Sequence, residues 1–240
     1  MNTPYNTKQT LNICACISRS IFTKQKIAKV AAAAEMAGWN VNIIPDFCEL
    51  AEDKNDTMKE FENSFIAACH ERAVRSLFNY AGTQCSNVID IRSDNYLDEL
   101  KRIGIDTQIL DTEALEKCEQ KYVNMLYATP NKWGEDAWYP TIDKDVCAEC
   151  GKCFDFCPFG VYEMIDDRVR VVHPHNCKNN CPACARNCPA GAIIFPKYER
   201  SPINGGVEKE DNAVQLDTKE IYTVALKERL AARRNRFLKK

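Results

Sequence analysis

The chain has 240 residues, 45% hydrophobic and 28% charged, with a formal net charge of −2, which describes an ordinary soluble protein of one large or two small domains. The charge balance implies no nucleic-acid partner, and no run of 18 apolar residues marks a membrane span. The polar opening from Met1 to Thr10 lacks the apolar core of a secretory leader, so the 14 cysteines are expected to be reduced, in a cytoplasm.

Residues 11 to about 103 alternate apolar runs with helical patterns. Leu11–Cys16, Val41–Pro45, Phe65–Cys69 and Val88–Ile91 read as strands. Between the first two, residues 23–37 carry an apolar stripe at Ile27, Val30, Ala31 and Ala34, with Thr23 as cap and Gly38 as stop. Glu49–Phe61 reads as a charged, exposed helix. After Cys69, residues Ala73, Val74, Leu77, Phe78 and Ala81 fall at helical spacing before Gly82. This alternation predicts an α/β domain, a parallel sheet with helices over its faces linked by right-handed crossovers.

In an open parallel sheet the carboxyl ends of the strands share one edge, and ligands bind there. Cys14 and Cys16 end the first strand, Cys48 follows the second and Cys69 ends the third, so topology gathers four thiols at one rim. They form either a metal-ligand set or four small buried hydrophobes. Cys69 precedes a helix, whose dipole favours a thiolate. Cys85 precedes its strand and belongs at the opposite edge. Cys118 shares a helical face with Leu115, Tyr122 and Met125 and is expected in the core. His70, Arg72 and Arg75 read as the solvated face of their helix. Cys14-Ala15-Cys16, with Ala68-Cys69-His70-Glu71-Arg72 and Leu77-Phe78, resembles the amino-terminal cysteine domain of the A-type proteins of heterodisulfide reductase. That resemblance implies an iron-sulfur cluster in this domain, for which the rim set Cys14, Cys16, Cys48 and Cys69 is the candidate, although the Pro45–Leu50 segment with Cys48 has no counterpart in it.

Thr112 to Tyr127 is helical in pattern, and Pro130-Asn131-Lys132-Trp133-Gly134 reads as a turn-rich linker. Beyond it lie two cysteine runs, Cys147-x2-Cys150-x2-Cys153-x3-Cys157-Pro158 and Cys177-x3-Cys181-x2-Cys184-x3-Cys188-Pro189. A cubane cluster needs four thiolates converging from all sides; short spacing wraps three around one cluster, and the fourth, before a proline, serves the other. Cys147, Cys150, Cys153 and Cys188 are therefore assigned to one [4Fe-4S] cluster, and Cys177, Cys181, Cys184 and Cys157 to a second. Structural zinc would use only two Cys-x-x-Cys pairs and leave the remaining cysteines without a role. An internal repeat aligns Cys153-Phe-Asp-Phe-Cys157-Pro-Phe-Gly-Val-Tyr with Cys184-Ala-Arg-Asn-Cys188-Pro-Ala-Gly-Ala-Ile.

The stretch from about 138 to 200 resembles the bacterial-type two-cluster ferredoxins, which implies two short hairpins and two short helices around the clusters. One departure is the three-residue insert Lys178-Asn179-Asn180, where the family usually has two residues, so Cys177 is the ligand whose placement depends most on the loop. A Cys-x3-Cys-x2-Cys run also resembles radical S-adenosylmethionine enzymes, but the chain leaves no room for their barrel.

Tyr162 to Val172 reads as a hairpin around Asp166-Asp167, and His173 and His175 flank Pro174 in a turn. Phe154, Phe156, Phe159, Val161, Ile193, Ile194 and Phe195 are expected to shield the clusters from water. Residues 219–240 form an expected helix with a basic end at Arg233, Arg234, Arg236, Lys239 and Lys240. The expected organisation is an α/β cysteine domain (1–135), a two-cluster α+β ferredoxin domain (136–200) and a tail with a basic amphipathic helix (201–240). No G-x-G-x-x-G or Walker sequence occurs, so electrons must come from another protein. These features predict an electron carrier or electron-transfer subunit working between redox protein partners. The alternatives are a complex component doing disulfide or sulfur chemistry at the rim cysteines, and a cluster-based redox sensor.

Overall fold

The computed structural model describes residues 9–16, 19–54, 56–128 and 136–207. Strand β1 (Thr10–Cys14) carries Leu11 and Ile13, both without solvent contact, and lies inside a parallel sheet of order β2-β1-β3-β4. The other strands are β2 (Asn40–Ile44), β3 (Phe65–Ala68) and β4 (Asn87–Asp90). The register pairs Leu11 with Val41 on one side and Phe65 on the other, and Phe65 with Asn87. The strand order reverses between β1 and β3, which makes the space beyond their carboxyl ends the switch point of the sheet.

Helix α1 (Lys24–Met36) begins where Thr23 accepts a hydrogen bond from the Lys26 N–H, and the chain turns away at Gly38, whose φ of +85° suits glycine. Its buried face contains Ile27, Val30, Ala31 and Ala34, as the stripe predicts. The expected exposed helix over Glu49–Phe61 is instead α2 (Phe47–Glu52) followed by a 3₁₀ turn at Asp56–Phe61. Asp46 starts α2 early by accepting from the Cys48 and Glu49 N–H groups, and Phe47, Ala51, Met58 and Phe61 are buried, so this segment is part of the core.

Helix α3 (Glu71–Tyr80) buries Ala73, Val74, Leu77 and Phe78. A short α4 (Tyr96–Arg102), unexpected from sequence, buries only Leu100, which leaves little periodic signal to read. Helix α5 (Thr112–Ala128) packs on α1 and buries Tyr122 and Leu126. Cys118 on α5 is half-buried rather than in the core, and Met125 is exposed. The described helices include none long and apolar enough to cross a membrane.

After residue 135 the chain forms β5 (Thr141–Ile142), α6 (Lys152–Phe156), β6 (Tyr162–Ile165), β7 (Arg168–Val171), a 3₁₀ turn at Pro174–Asn176, α7 (Ala183–Asn187) and β8 (Ile193–Ile194). β5 pairs antiparallel with β8, and β6 with β7. Asp166 and Asp167 both take positive φ (52° and 56°), the geometry of a two-residue hairpin turn that matches strand twist. Trp138 stacks on Phe195 at 5.1 Å between ring centroids, in a core with Val161, Tyr162, Val169, Val171 and Ile193. Tyr139 and Ile194 belong instead to the core of the parallel-sheet region, and residues up to Gly206 form one compact unit. Of the expected apolar shell, Val161, Ile193, Ile194 and Phe195 are buried, but Phe154, Phe156 and Phe159 are 40%, 48% and 40% exposed. Phe154 and Phe156 lie two positions apart on α6 and so cannot share one inward face, and Phe159 lies beyond the helix. The expected basic terminal helix and the Pro130–Gly134 linker lie outside the described residues.

Candidate metal centres

The switch point of the sheet holds the rim cysteines. Cys14 ends β1, Cys16 follows it with a left-handed φ of +46°, Cys48 lies in the first turn of α2, and Cys69 directly follows β3. A non-glycine residue in that region costs on the order of 1–3 kcal/mol, and such strain collects at functional sites. All four are buried, between 2% and 9% exposed. They stand close enough to act on one another. Burial, then the Asp46 carboxylate, then Cys16 and Cys69 push the Cys14 thiol up. Burial and then Cys16 push Cys69 up to about 12. Burial also raises Cys48, with Cys69 and Cys16 adding to it, and Cys16 is pushed up to about 11. At Cys69 burial works against the dipole of α3, which begins two residues later at Glu71. Backbone N–H groups already face the sulfurs, from Phe47 to Cys14 and from Ile21 and Arg19 to Cys16. Four buried thiols, two of them with N–H donors aimed at them, have the donor chemistry of a cluster site, because iron would replace the protons that burial holds in place.

Beside this group lies a chain of charges with no signature in the sequence. Lys197, 2% exposed, donates to Asp46 at 2.8 Å and to Asp136 at 2.6 Å. Desolvation works against its ammonium, and Cys48, Asp46 and Asp136 together outweigh that penalty and keep it charged. Asp136 also accepts from Arg19, and Arg19 donates on to Asn179 and Asn180 of the three-residue insert, at 2.6 Å to Asn180. Asn180 has a φ of +62°. The extra residue in the Cys177–Cys181 spacing thus sits in a loop anchored on Arg19, three residues after Cys16.

In the ferredoxin-like region the two runs interleave. After burial and the Glu149 charge, the neighbours that raise Cys147 are Cys188 and Cys150. Those that raise Cys177, after burial, are Cys184, Cys181 and Cys157. Burial, then Cys157 and Cys181, raise Cys184 to about 11, while Tyr162 opposes them. Cys153, pushed to about 12 mainly by burial, has both Cys184 and Cys188 beside it. The last cysteine of each run is thus among the electrostatic neighbours of the other run. N–H groups of Glu149, Phe154 and Ala185 face Cys147, Cys153 and Cys184, and the Ala192 N–H donates to Cys188 Sγ at 3.3 Å. Among the described residues no three Cys, His, Asp or Glu side chains close tightly enough for a single metal ion, so both groups are open arrays.

The remaining candidates are placed elsewhere. Cys85 is buried before β4, at the edge away from the rim. His70 pairs with Asp90 at 2.8 Å, and Arg75 pairs with Glu71 on its own helix. Arg72 is not simply solvated: it bonds Asp143 and the Gly191 carbonyl. His173 pairs with Glu163, and His175 with Asp53, both in the exposed turn expected.

Two interleaved cysteine arrays on short helices and hairpins define an iron-sulfur electron-transfer module. Residues 139–189 match the 4Fe-4S dicluster domain family. The chain is 34% identical over 97 residues to Ferredoxin-3 of Nostoc sp., covering 31% of this chain and 99% of that protein. It is 45% identical over 74 residues to an uncharacterized ferredoxin of Methanocaldococcus jannaschii, 30% of this chain and 50% of the relative, so it spans half the length of that protein. It is 41% identical over 61 residues to the pyruvate synthase subunit PorD of Methanothermobacter marburgensis, 25% of this chain and 65% of that relative. Through this region the chain belongs to the 4Fe-4S ferredoxin family.

Proposed function

We propose that the chain is an electron carrier, or the electron-transfer component of a redox enzyme, with two [4Fe-4S] clusters in residues 136–200 and a third iron-sulfur cluster at the rim of residues 1–135. Cys147, Cys150, Cys153 and Cys188 would hold one cluster, and Cys157, Cys177, Cys181 and Cys184 the next. Cys14, Cys16, Cys48 and Cys69 would hold the third, in the domain where the resemblance to the A-type proteins of heterodisulfide reductase implies a cluster. Such clusters store and release single electrons without making or breaking bonds to substrate. The observation that carries this reading is the interleaving of Cys157 with Cys177 and Cys184, and of Cys188 with Cys147.

The protein's own groups supply the surroundings. Backbone N–H donors point at the sulfurs, and buried Trp138, Phe195 and Ile193 limit water on one side. The exposed rings of Phe154, Phe156 and Phe159 lie beside the first run. The donor and acceptor would be redox proteins, and similarity to a pyruvate synthase subunit favours an oxidoreductase complex as one of them. A cytoplasmic setting fits reduced thiols. Residues beyond Gly206 would supply the basic tail, whereas 201–206, expected to belong to it, pack in the compact unit, where the Phe195 N–H donates to the Ile203 carbonyl.

The rival reading, disulfide or sulfur chemistry at the rim, needs accessible thiols of low pKa. The rim thiols are buried, and Cys16 and Cys69 are pushed to about 11 and about 12. The test is spectroscopic. Anaerobically purified full-length protein should be brown, bleach with dithionite, and recover its absorbance when a one-electron acceptor dye is added. A colourless, zinc-filled protein after anaerobic expression would overturn the reading.

A further inference from the structure

The internal repeat is close to symmetric around its two Cys-Pro turns, but one position differs in a way that matters to a cluster. Cys157-Pro158-Phe159-Gly160-Val161-Tyr162 corresponds to Cys188-Pro189-Ala190-Gly191-Ala192-Ile193. Gly160 and Gly191 take nearly the same positive φ, 66° and 60°, so the two turns follow the same path. The last position then starts β6 with Tyr162 and β8 with Ile193, and both side chains are buried at 3%.

Tyr162 uses its hydroxyl on a cysteine. The Oη donates to Cys184 Sγ at 3.1 Å, and both groups are buried, at 3% and 7% exposure. Ile193 carries no donor, so the repeat offers Cys153, the counterpart of Cys184, nothing equivalent. Backbone N–H donors reach sulfurs in both arrays, including those of Phe154 to Cys153 and Ala185 to Cys184. The main-chain donors fall on both arrays, those of Glu149, Phe154 and Ala192 on the Cys147 array and that of Ala185 on the Cys184 array, and the Tyr162 hydroxyl adds a buried side-chain donor to the second.

Reducing a cluster adds negative charge that its thiolate sulfurs share. A donor aimed at one of those sulfurs stabilises the reduced form more than the oxidised form, and hydrogen bonds to sulfur are among the terms that set cluster potentials. Inside a buried site the effect is screened less than in water. We propose that Tyr162 raises the potential of the cluster held by Cys157, Cys177, Cys181 and Cys184, making it easier to reduce than it would be without the hydroxyl. This rests on the reading that Cys184 is a ligand of that cluster. An electron supplied by a one-electron donor protein would be held more firmly there, with no bond or proton changing hands.

The test is Tyr162→Phe in full-length, anaerobically reconstituted protein, with iron counted and both potentials followed by redox titration under electron paramagnetic resonance. Tyr162→Phe keeps the ring and removes one oxygen. The potential of the cluster whose signal Cys184→Ser removes should fall, the other should stay, and iron content should be unchanged. Tyr139→Phe, which removes a hydroxyl bonded to the Cys48 carbonyl and not to sulfur, should move neither. If Tyr162→Phe leaves both potentials in place, or moves only the other, the proposal is overturned. Should that variant lose iron, fluorotyrosine at position 162, a stronger donor of the same shape, should raise the potential of that same cluster, and failure to do so is equally decisive. Cys184→Ser separates the two levels: if both clusters survive it, the ligand assignment itself is wrong, whereas loss of one cluster without a Tyr162→Phe shift condemns only the role of Tyr162.

Discussion

Cys157, the last cysteine of the first run, stands beside Cys184 of the second, near enough that its charge helps to raise the Cys184 thiol. Cys188 stands in the same relation to Cys147. This neighbourhood fits the proposed crossed assignment, in which each half completes the other's site. Serine at Cys157 should therefore remove the cluster of the second run, and serine at Cys188 the cluster of the first. Each variant should lose about four irons. Paramagnetic resonance of the reduced variants identifies which signal disappears; loss from the variant's own run in each case would contradict the crossed assignment.

Lys197 should matter more to stability than any surface lysine. Its ammonium is 2% exposed between Asp46 and Asp136, at 1% and 9%. Lys197→Met would leave two carboxylates buried without their cation, and breaking a buried pair from one side costs about 3–5 kcal/mol. Urea unfolding of the full-length protein should show a loss of that size, with Lys117→Met, whose partner Glu113 is exposed, within about 0.5 kcal/mol of the parent.

Arg19 should govern the loop that carries Cys177 and Cys181. It contacts Asp136, Asn179 and Asn180, and its guanidinium lies 4.3 Å from the Trp138 ring centroid. Arg19→Ala should speed the loss of iron from the second-run cluster to a chelator several-fold and leave the first-run cluster unaffected, as followed by the decay of each resonance signal. Equal rates for both clusters would remove the loop from the account.

Acid should loosen the packing of α5 on α1 through Glu35. Hydrogen bonds from Lys121 and Tyr122 hold its carboxyl below the usual range, against a smaller opposing effect of burial. A depressed folded-state pKa contributes stability that is fully present above the unfolded value, about 4.3, and is lost as pH falls through the folded value. Melting temperatures of the parent and Glu35→Gln should therefore differ at pH 6 and converge toward pH 3. Because Glu35 is 40% exposed, the gap should be small. A gap that stays constant across this range would assign the contact to packing alone.

The strands, α1, α3, α5 and the hairpin were legible because their apolar residues recur at fixed periods and their ends carry Thr23, Gly38, Gly82 or Asp166-Asp167. The module cysteines were legible because their spacing is local. The rim group could be reached only through topology, since Cys14, Cys48 and Cys69 are far apart in sequence and meet where the strand order reverses. Other features escaped, α4 among them. The break in Glu49–Phe61 follows from the Asp46 cap and Lys54 at φ +50°, which periodicity does not encode. Phe154 and Phe156 lie two positions apart on α6 and cannot share an inward face, and Phe159 lies beyond it. The Asp46–Lys197–Asp136–Arg19 chain joins partners as far as 151 positions apart, and no local pattern announces such a partnership.

The central claim is that cysteines in both halves of the chain hold iron-sulfur clusters, and counting iron and acid-labile sulfide in anaerobically reconstituted full-length protein tests it most directly. The account predicts more than about eight irons per chain with matching sulfide, falling to about eight in Cys69→Ser and unchanged in Cys85→Ser. A parent protein with about eight irons that Cys69→Ser does not alter would contradict the rim cluster, and one with no sulfide-bound iron at all would contradict the whole account.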